Sequence, residues 1–453
     1  MVAVSEEDPL RSVAAQHGQR RAVIDHSAGF WVSWFSLDDL AHTWARRLRE
    51  LGVQPGDRVA VQEPAGVRFA ALLFACVRVG AALVPVSTRG TGEEAARVLA
   101  DCRPRVVVRD GELTPLSDGE PGPEGDVCVL YTSGTTGPPK GVRLTLANHR
   151  ASAEGCRASL GTTDRDRWLL MLSPHHVGGL AMFLRGAICN QAIVTVDAFD
   201  PAAVLQAVEQ HEPTVLSAVP TMLTRLIGAG GADALRRLRA ILLGGAPATV
   251  EQVREWEALG LPVCASYGLT ETCSQVATVP PGRTAELAGT AGMPGPHASI
   301  AIDPLPGYGA GAGEIVVRGP AVSPGYVNPE LSPAPAAGAF RTGDVGALRD
   351  GILTVLGRID DCIVTGGENV QPDEVEAVLR AHPGVADAAV AGRPDTTWGE
   401  VVCAWVESDA SEAELDAWCR ERLSGFKVPR RWRFVDRLPR SEGGKLARRR
   451  LPD

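Results

Sequence analysis

Lysine is nearly absent from this chain. Of 45 basic residues only three are lysine, Lys140, Lys427 and Lys445, and the other 42 are arginine. A sequence so committed to guanidinium keeps an ammonium where a compact, mobile point charge serves and a wide planar fork does not. Paired cysteines are missing as well. The ten cysteines are scattered singly, with no CxxC and no His/Cys cluster of zinc spacing. That excludes a disulfide framework and a zinc ribbon, and it fits thiols used as small hydrophobes in a reducing compartment. A basic stripe is lacking too: the net charge is −9, which disfavours a nucleic-acid binder. The arginine-rich C-terminus is broken by apolar residues and reads as a solvated face. No run is long and apolar enough to span a membrane, because FAALLFACVRVGAALVPV carries Arg78, Gly80 and Pro85. It predicts a buried helix leading into a strand. MVAVSEEDPL has no basic-then-apolar leader pattern, so a cytoplasmic protein is expected.

What the chain does have is alternation. DDLAHTWARRLREL predicts a helix with Leu40, Trp44, Leu48 and Leu51 on one face. After it come strand-like DRVAVQE, the apolar helix, strand ALVPVS, helix EEAARVLADC and strand RVVV. This order predicts an α/β fold with mainly parallel sheets. Residues 111–125, 303–313 and 328–338 read as loops or linkers. The last ninety or so residues predict a separate α+β unit. Pro372 opens one helix, and Ser411 with Glu414 forms the capping box of another.

The densest chemical signal is VCVLYTSGTTGPPKGVRLT. Apolar CVLY reads as a strand, and after it come Thr132, Ser133, Gly134, Thr135 and Thr136, then Gly137, Lys140 and Gly141. Glycines turn backbone N–H groups inward, hydroxyls add donors and the lysine adds a charge, which together suit a polyphosphate. It is not the P-loop of kinases and GTPases. Pro139 stands where that motif needs glycine, Gly141 where it needs Ser or Thr, and a strand follows instead of a helix.

Five further segments occur in order: SYGLTET, GEIVVRGPAVSPGY, RTGD, GRIDDCIVTGGENVQPDEVE and LPRSEGGKLARR. With the phosphate loop they resemble the motif set of the adenylate-forming enzymes, the acyl- and aryl-CoA ligases and their relatives, over nearly the whole chain. The resemblance implies a large α/β domain, residues 1–358, and a small mobile α+β domain, residues 359–453, that swings at Asp360. It implies ATP, Mg²⁺ and coenzyme A as reaction partners of a carboxylic acid. Glu271 is then the metal ligand and Thr270 an α-phosphate donor. Tyr267 faces adenine beside Gly244, Gly245 and Ala246. Asp344 and Arg358 hold the ribose end, and Lys445 is the catalytic ammonium. Gly366, Gly367 and Glu368 face the thiol, with Lys427 near the coenzyme A phosphates.

The acid is suggested by two stretches. SPHHVGGLAMFLRGAI implies that His176 walls or gates the acyl pocket, and it holds no aspartate for a substrate ammonium, which disfavours an amino acid. The chain ends without a carrier domain, so a diffusible thiol is expected. TETCSQVAT resembles the corresponding stretch of the 2-succinylbenzoate–CoA ligases, implying polar contacts from Ser274 and Gln275 and a second carboxylate near Arg185. The chain departs from the commoner form at Gly179-Leu180, where a polar Gln-Gly is expected. Two other readings stand beside this one: a ligase for another acyl or aryl acid, and a nucleotide-binding relic without turnover. Retention of Lys140, Glu271, Asp344, Arg358 and Lys445 together argues against the relic.

Overall fold

The computed structural model describes residues 8–132, 140–306, 308, 311–330, 335, 338–366, 368–440 and 446–452. Two large sheets dominate. One has seven strands, with Ala82–Pro85, Arg58–Gln62 and Val106–Arg109 parallel near its middle and the Asp126–Thr132/Lys140–Thr145 hairpin on one side. The other has nine, with a parallel centre formed by Ala240–Leu243, Val215–Ala218, Arg167–Leu170 and Ala192–Thr195. A four-stranded antiparallel sheet follows, Ser299–Pro304 through Ile352–Arg358. The small unit is a five-stranded sheet carrying helices Pro372–Arg380 and Glu412–Arg422.

The apolar run folds as expected. Helix Val67–Val79 buries ten of its thirteen residues, and Gly80, at φ +75°, turns the chain into strand Ala82–Pro85. Such a helix, apolar all round, belongs inside a large protein. It meets helix Val177–Cys189 through a Phe69–Phe183 ring contact at 5.5 Å. Among the described residues no helix is long and apolar enough to cross a membrane. All ten cysteines are free, and only Cys362 is not buried.

Two expectations are corrected. The early helix spans Trp34–Glu50, with Ser33 as its N-cap, and buries Trp34, Leu37, Ala41, Ala45 and Leu48 while Leu40 is exposed. Counting only large apolar residues gave part of the face: Leu48 is buried and Trp44 and Leu51 pack half-buried against the core, while Leu40 does not. The alanines at i and i+4 lie in the contact because small side chains let this helix approach its neighbour closely. Residues 112–115 of the first expected loop form an edge strand paired with Val106–Arg109. The capping box at Ser411 and Glu414 and the proline at the start of Pro372–Arg380 are present.

Candidate active site

Parallel strands present their C-terminal ends as a ligand edge. Here Ala240–Leu243 and Val263–Leu269 run side by side, and Gly244, Gly245 and Ala246 follow the first of them. Gly245 has φ +78°, and a Cβ on Gly244 would lie 2.9 Å from the Ser266 hydroxyl. Both positions need glycine, one for its backbone angle and one for space. Tyr267, next on the neighbouring strand, donates its hydroxyl to Asp344 Oδ2 at 2.7 Å, and Arg358 Nη1 donates to Asp344 Oδ1 at 3.0 Å. Burial and the Asp344 charge push the Tyr267 phenol upward, so it stays a neutral donor. The ring that the resemblance turns toward adenine is thus anchored through its hydroxyl to the carboxylate assigned to ribose.

The RTGD turn has its own support. Glu314, buried on Ala312–Arg318, accepts from the N–H of Gly343 at 3.1 Å and pairs with Arg341. Thr342 donates to Ile315 O at 2.8 Å and accepts from the N–H of Asp344 at 3.0 Å. These bonds fix the Asp344 backbone from below. Sequence reasoning grouped Glu314 only within a structural motif; its spacing from RTGD carries no local signal.

The expected phosphate loop falls in sequence between two paired strands whose last described pair is Thr132 and Lys140. Ser133, Gly134, Thr135 and Thr136 lie outside the described residues, as do Gly367 and Lys445. Beside the hairpin, Thr270–Thr272 makes one turn of 3₁₀ helix held by a bond from the Leu269 N–H to the Thr272 hydroxyl. Glu271 accepts from the Tyr326 hydroxyl at 3.1 Å, and its carbonyl accepts from the N–H of Ser323. Tyr326 pairs with Val142 on the strand that leaves the hairpin. One tyrosine, not singled out from sequence, therefore ties the candidate metal ligand to the strand that follows the candidate phosphate loop. Among the described residues no cluster of three metal-ligating side chains exists.

The acid-pocket residues fall into two groups. His176 caps helix Val177–Cys189 and lies against His175, with ring centroids 4.1 Å apart. Burial, then the His176 and Arg89 charges, hold His175 down to about 3, so it is neutral. It bonds Ser173 Oγ at 2.5 Å. A Cβ on Gly179 would lie 2.1 Å from the Ser173 carbonyl oxygen, so backbone packing dictates glycine where a Gln was expected. Farther along, Arg185 is 4% exposed and has Gln275 Oε1 at 3.4 Å, Met182 Sδ at 3.5 Å and the Trp168 ring at 5.0 Å. Ser274 donates to the same Gln275 oxygen at 2.6 Å. Arg185 Nε and Gln275 Nε2 are buried without a partner among the described residues, and no carboxylate pairs with Arg185 there. Ser274 holds φ +104°, a strained angle outside glycine.

In the small unit, Asp360 is exposed in the turn between Ile352–Arg358 and Ile363–Thr365, and Ile359 N–H bonds Gly343 O. Gly366 sits under Trp398, whose ring a Cβ would approach to 2.8 Å, and Arg430 stacks on that ring at 4.2 Å. Glu368 opens the next strand. Lys427 forms a bidentate pair with Glu374 at 2.7 and 2.8 Å. A phosphate contact from Lys427 would have to compete with that carboxylate.

Comparison with known proteins accords with this layout. The chain matches the AMP-binding enzyme family over residues 10–121 and 114–327, and the AMP-binding enzyme C-terminal domain over 374–445. It is 38% identical to the 2-succinylbenzoate–CoA ligase of Bacillus licheniformis, covering 98% of each chain. Its fold superposes with a TM-score of 0.88 on the o-succinylbenzoate CoA synthetase (MenE) from Bacillus subtilis in complex with the acyl-adenylate intermediate OSB-AMP, at 34% identity over 99% of this chain and 98% of that one. For the same enzyme in complex with ATP and magnesium ion the TM-score is 0.87, at 33% identity over 98% and 99%. The chain belongs to the AMP-binding enzyme family and carries both its main unit and its C-terminal domain.

Proposed function

We propose that this chain joins 2-succinylbenzoate to coenzyme A through an acyl-adenylate. The observation that carries the choice of acid is Arg185, a buried cation without a carboxylate partner among the described residues, beside a buried amide nitrogen that also lacks one. Desolvating a charge is costly unless something pairs with it. An aromatic diacid supplies that partner, since one carboxylate reacts while the other stays ionised at the far end. The curated and structural relatives named for this substrate favour the same acid.

In the first step a carboxylate oxygen attacks the α-phosphorus of ATP, a P–O bond forms and pyrophosphate leaves. Two anions must meet, so the chain's work is electrostatic. An ammonium about 4 Å from the developing charge is worth about 4 kcal/mol at moderate dielectric, on the order of a thousandfold in rate. Lys445 supplies it, Lys140 and the Thr132–Thr136 hydroxyls hold the phosphates, and Thr270 donates to the α-phosphate. Asp344 accepts the ribose hydroxyls, oriented by Tyr267 and Arg358, while Gly244, Gly245 and Ala246 let the base lie against backbone. Mg²⁺ held by Glu271 neutralises phosphate charge when bound. In the second step the coenzyme A sulfur attacks the acyl carbon and AMP leaves. Residues 359–453 turn about Asp360 between the steps, exchanging Lys445 for the Gly366–Glu368 face with Trp398 and Arg430 beside it. His176 walls the acyl pocket, and Ser274 and Gln275 line its polar end. A cytoplasmic setting, where ATP and coenzyme A are supplied, fits these partners.

Tyr326→Phe removes the hydroxyl that holds Glu271. It is expected to raise the Mg²⁺ concentration for half-maximal adenylation about ten- to a hundredfold, the usual range for losing one hydrogen bond to a charged group. ATP titrated calorimetrically without metal binds as before. Unchanged metal dependence removes Tyr326 from the site.

The function itself is tested by mass spectrometry of the thioester formed with ATP and Mg²⁺. 2-Succinylbenzoate is offered beside benzoate, fatty acids of several lengths and amino acids. A selective 2-succinylbenzoyl thioester is expected. Selective turnover of another acid refutes the choice of substrate.

A further inference from the structure

Arginines on both sides of Lys445 in sequence, Arg440 and Arg448, are themselves bonded to the small domain. Arg440 and Leu446 form an isolated antiparallel bridge, so residues 440 and 446 lie side by side at the ends of the segment. Arg440 pairs with Asp387, and Ala447 N–H bonds Pro439 O at 2.9 Å. Beyond the bridge, Leu446 and Leu451 pack on Ala389, Val401 and Trp405, and Pro452 O accepts from the Trp405 indole at 2.9 Å.

Arg448, three residues past the lysine, binds three carboxylates on two elements. It pairs with Asp361 in the turn beside Asp360 at 3.2 Å, with Asp373 in the first turn of helix Pro372–Arg380, and with both oxygens of Glu376 at 2.9 and 3.0 Å. A planar fork with five donors suits three carboxylates spread over two elements. Glu376 is almost wholly buried and does not depend on Arg448 alone, since Arg380 at 3.1 Å and the Val390 N–H at 2.8 Å also bond it. The part of the network peculiar to Arg448 runs from the lysine segment to the hinge turn.

We propose that Arg448 is a positioning residue for adenylation: it fixes residues 446–448, which follow Lys445 directly in the chain, to helix Pro372–Arg380 and to Asp361 in the hinge turn. This rests on the reading of Lys445 as the adenylation cation. The group transfers themselves do not involve Arg448, which touches no reacting atom.

The two half-reactions are measured separately in Arg448→Ala and Arg448→Lys, with Lys445→Ala alongside. Adenylation is followed by pyrophosphate exchange, and thioester formation by supplying preformed acyl-adenylate with coenzyme A. Arg448→Ala is expected to lower adenylation kcat about 10- to 100-fold, the range for a catalytic group displaced by about 1 Å, with KM for ATP changed less than about threefold. Thioester formation, which needs a folded small domain, stays within about threefold of the parent. Arg448→Lys recovers part of the loss by restoring one pair. Asp361→Asn, which cuts only the hinge-side link, shifts the ratio of the half-reactions several-fold in the same direction. Equal losses in both half-reactions, or full adenylation in Arg448→Ala while Lys445→Ala is crippled, overturn the proposal. An unchanged ratio in Asp361→Asn refutes the hinge link. Normal adenylation in Lys445→Ala shows instead that the lysine reading failed, and the proposal falls with it.

Discussion

Lys445→Ala lowers acyl-adenylate formation about a hundred- to ten-thousandfold and leaves thioester formation from supplied adenylate within a few-fold of the parent. The asymmetry is the content of the prediction. A cation near the α-phosphate stabilises the charge that develops as two anions join, and this charge is absent when a thiol attacks an already activated acyl group. Pyrophosphate exchange reads the first step, and single-turnover thioester formation reads the second. Equal damage to both contradicts a small domain that presents different faces in turn. Lys445→Arg sharpens the test, since it keeps the charge but replaces a compact ammonium with a planar fork. It is expected to recover little, because a guanidinium at that position cannot place one point charge among carboxylate, phosphate and ribose oxygens.

The three lysines make a useful measure of what sequence reveals. Rarity alone flagged all of them, yet they stand in different relations to the fold. Lys140 is half-buried at the first paired position after the phosphate loop. Lys427 is bound to Glu374, a partner 53 residues away that no local pattern announces. Sequence alone picks out candidate groups most readily where one short segment supplies several of them, as at Gly244-Gly245 and Thr270-Glu271. Supports contributed by distant segments did not read. Tyr326 bonds Glu271 across 55 residues, Glu314 holds Gly343 across 29, and Arg448 reaches Glu376 across 72. Each of these looks like an ordinary surface or core residue until the strands bring it home. Packing hid the helix face at Ala41 and Ala45 and the need for glycine at 179 in the same way, since both depend on what lies opposite.

Arg185→Met is expected to trade affinity for stability. The substitution nearly conserves volume and removes a buried cation that has no carboxylate partner among the described residues. In the free protein that charge is a cost, because among the described residues its desolvation is offset by Gln275, a thioether and the Trp168 face and by no carboxylate. Replacing it with an apolar chain is therefore expected to raise Tm, by about 1 °C for each kcal/mol gained in a chain of 453 residues. His149 provides an internal check. Its imidazole is held down to about 3 by burial first and by the Arg185 charge second, so removing the arginine moves it upward while burial keeps it low. Toward 2-succinylbenzoate the same change leaves the second carboxylate unpaired in a buried site. Losing one partner of a buried, hydrogen-bonded charge pair costs about 2–5 kcal/mol, which predicts a rise in KM of about thirty- to several-thousandfold. The kcat at saturation falls much less, since Arg185 makes the same contact in ground and transition states. Monocarboxylic aromatic acids gain relative to the diacid. A destabilised Arg185→Met with unchanged KM for 2-succinylbenzoate makes Arg185 an ordinary core arginine and returns the choice of acid to the other ligases. A more stable variant that has lost the diacid assigns the buried charge to the substrate, because only a ligand absent from the resting protein gives the arginine a reason to be there.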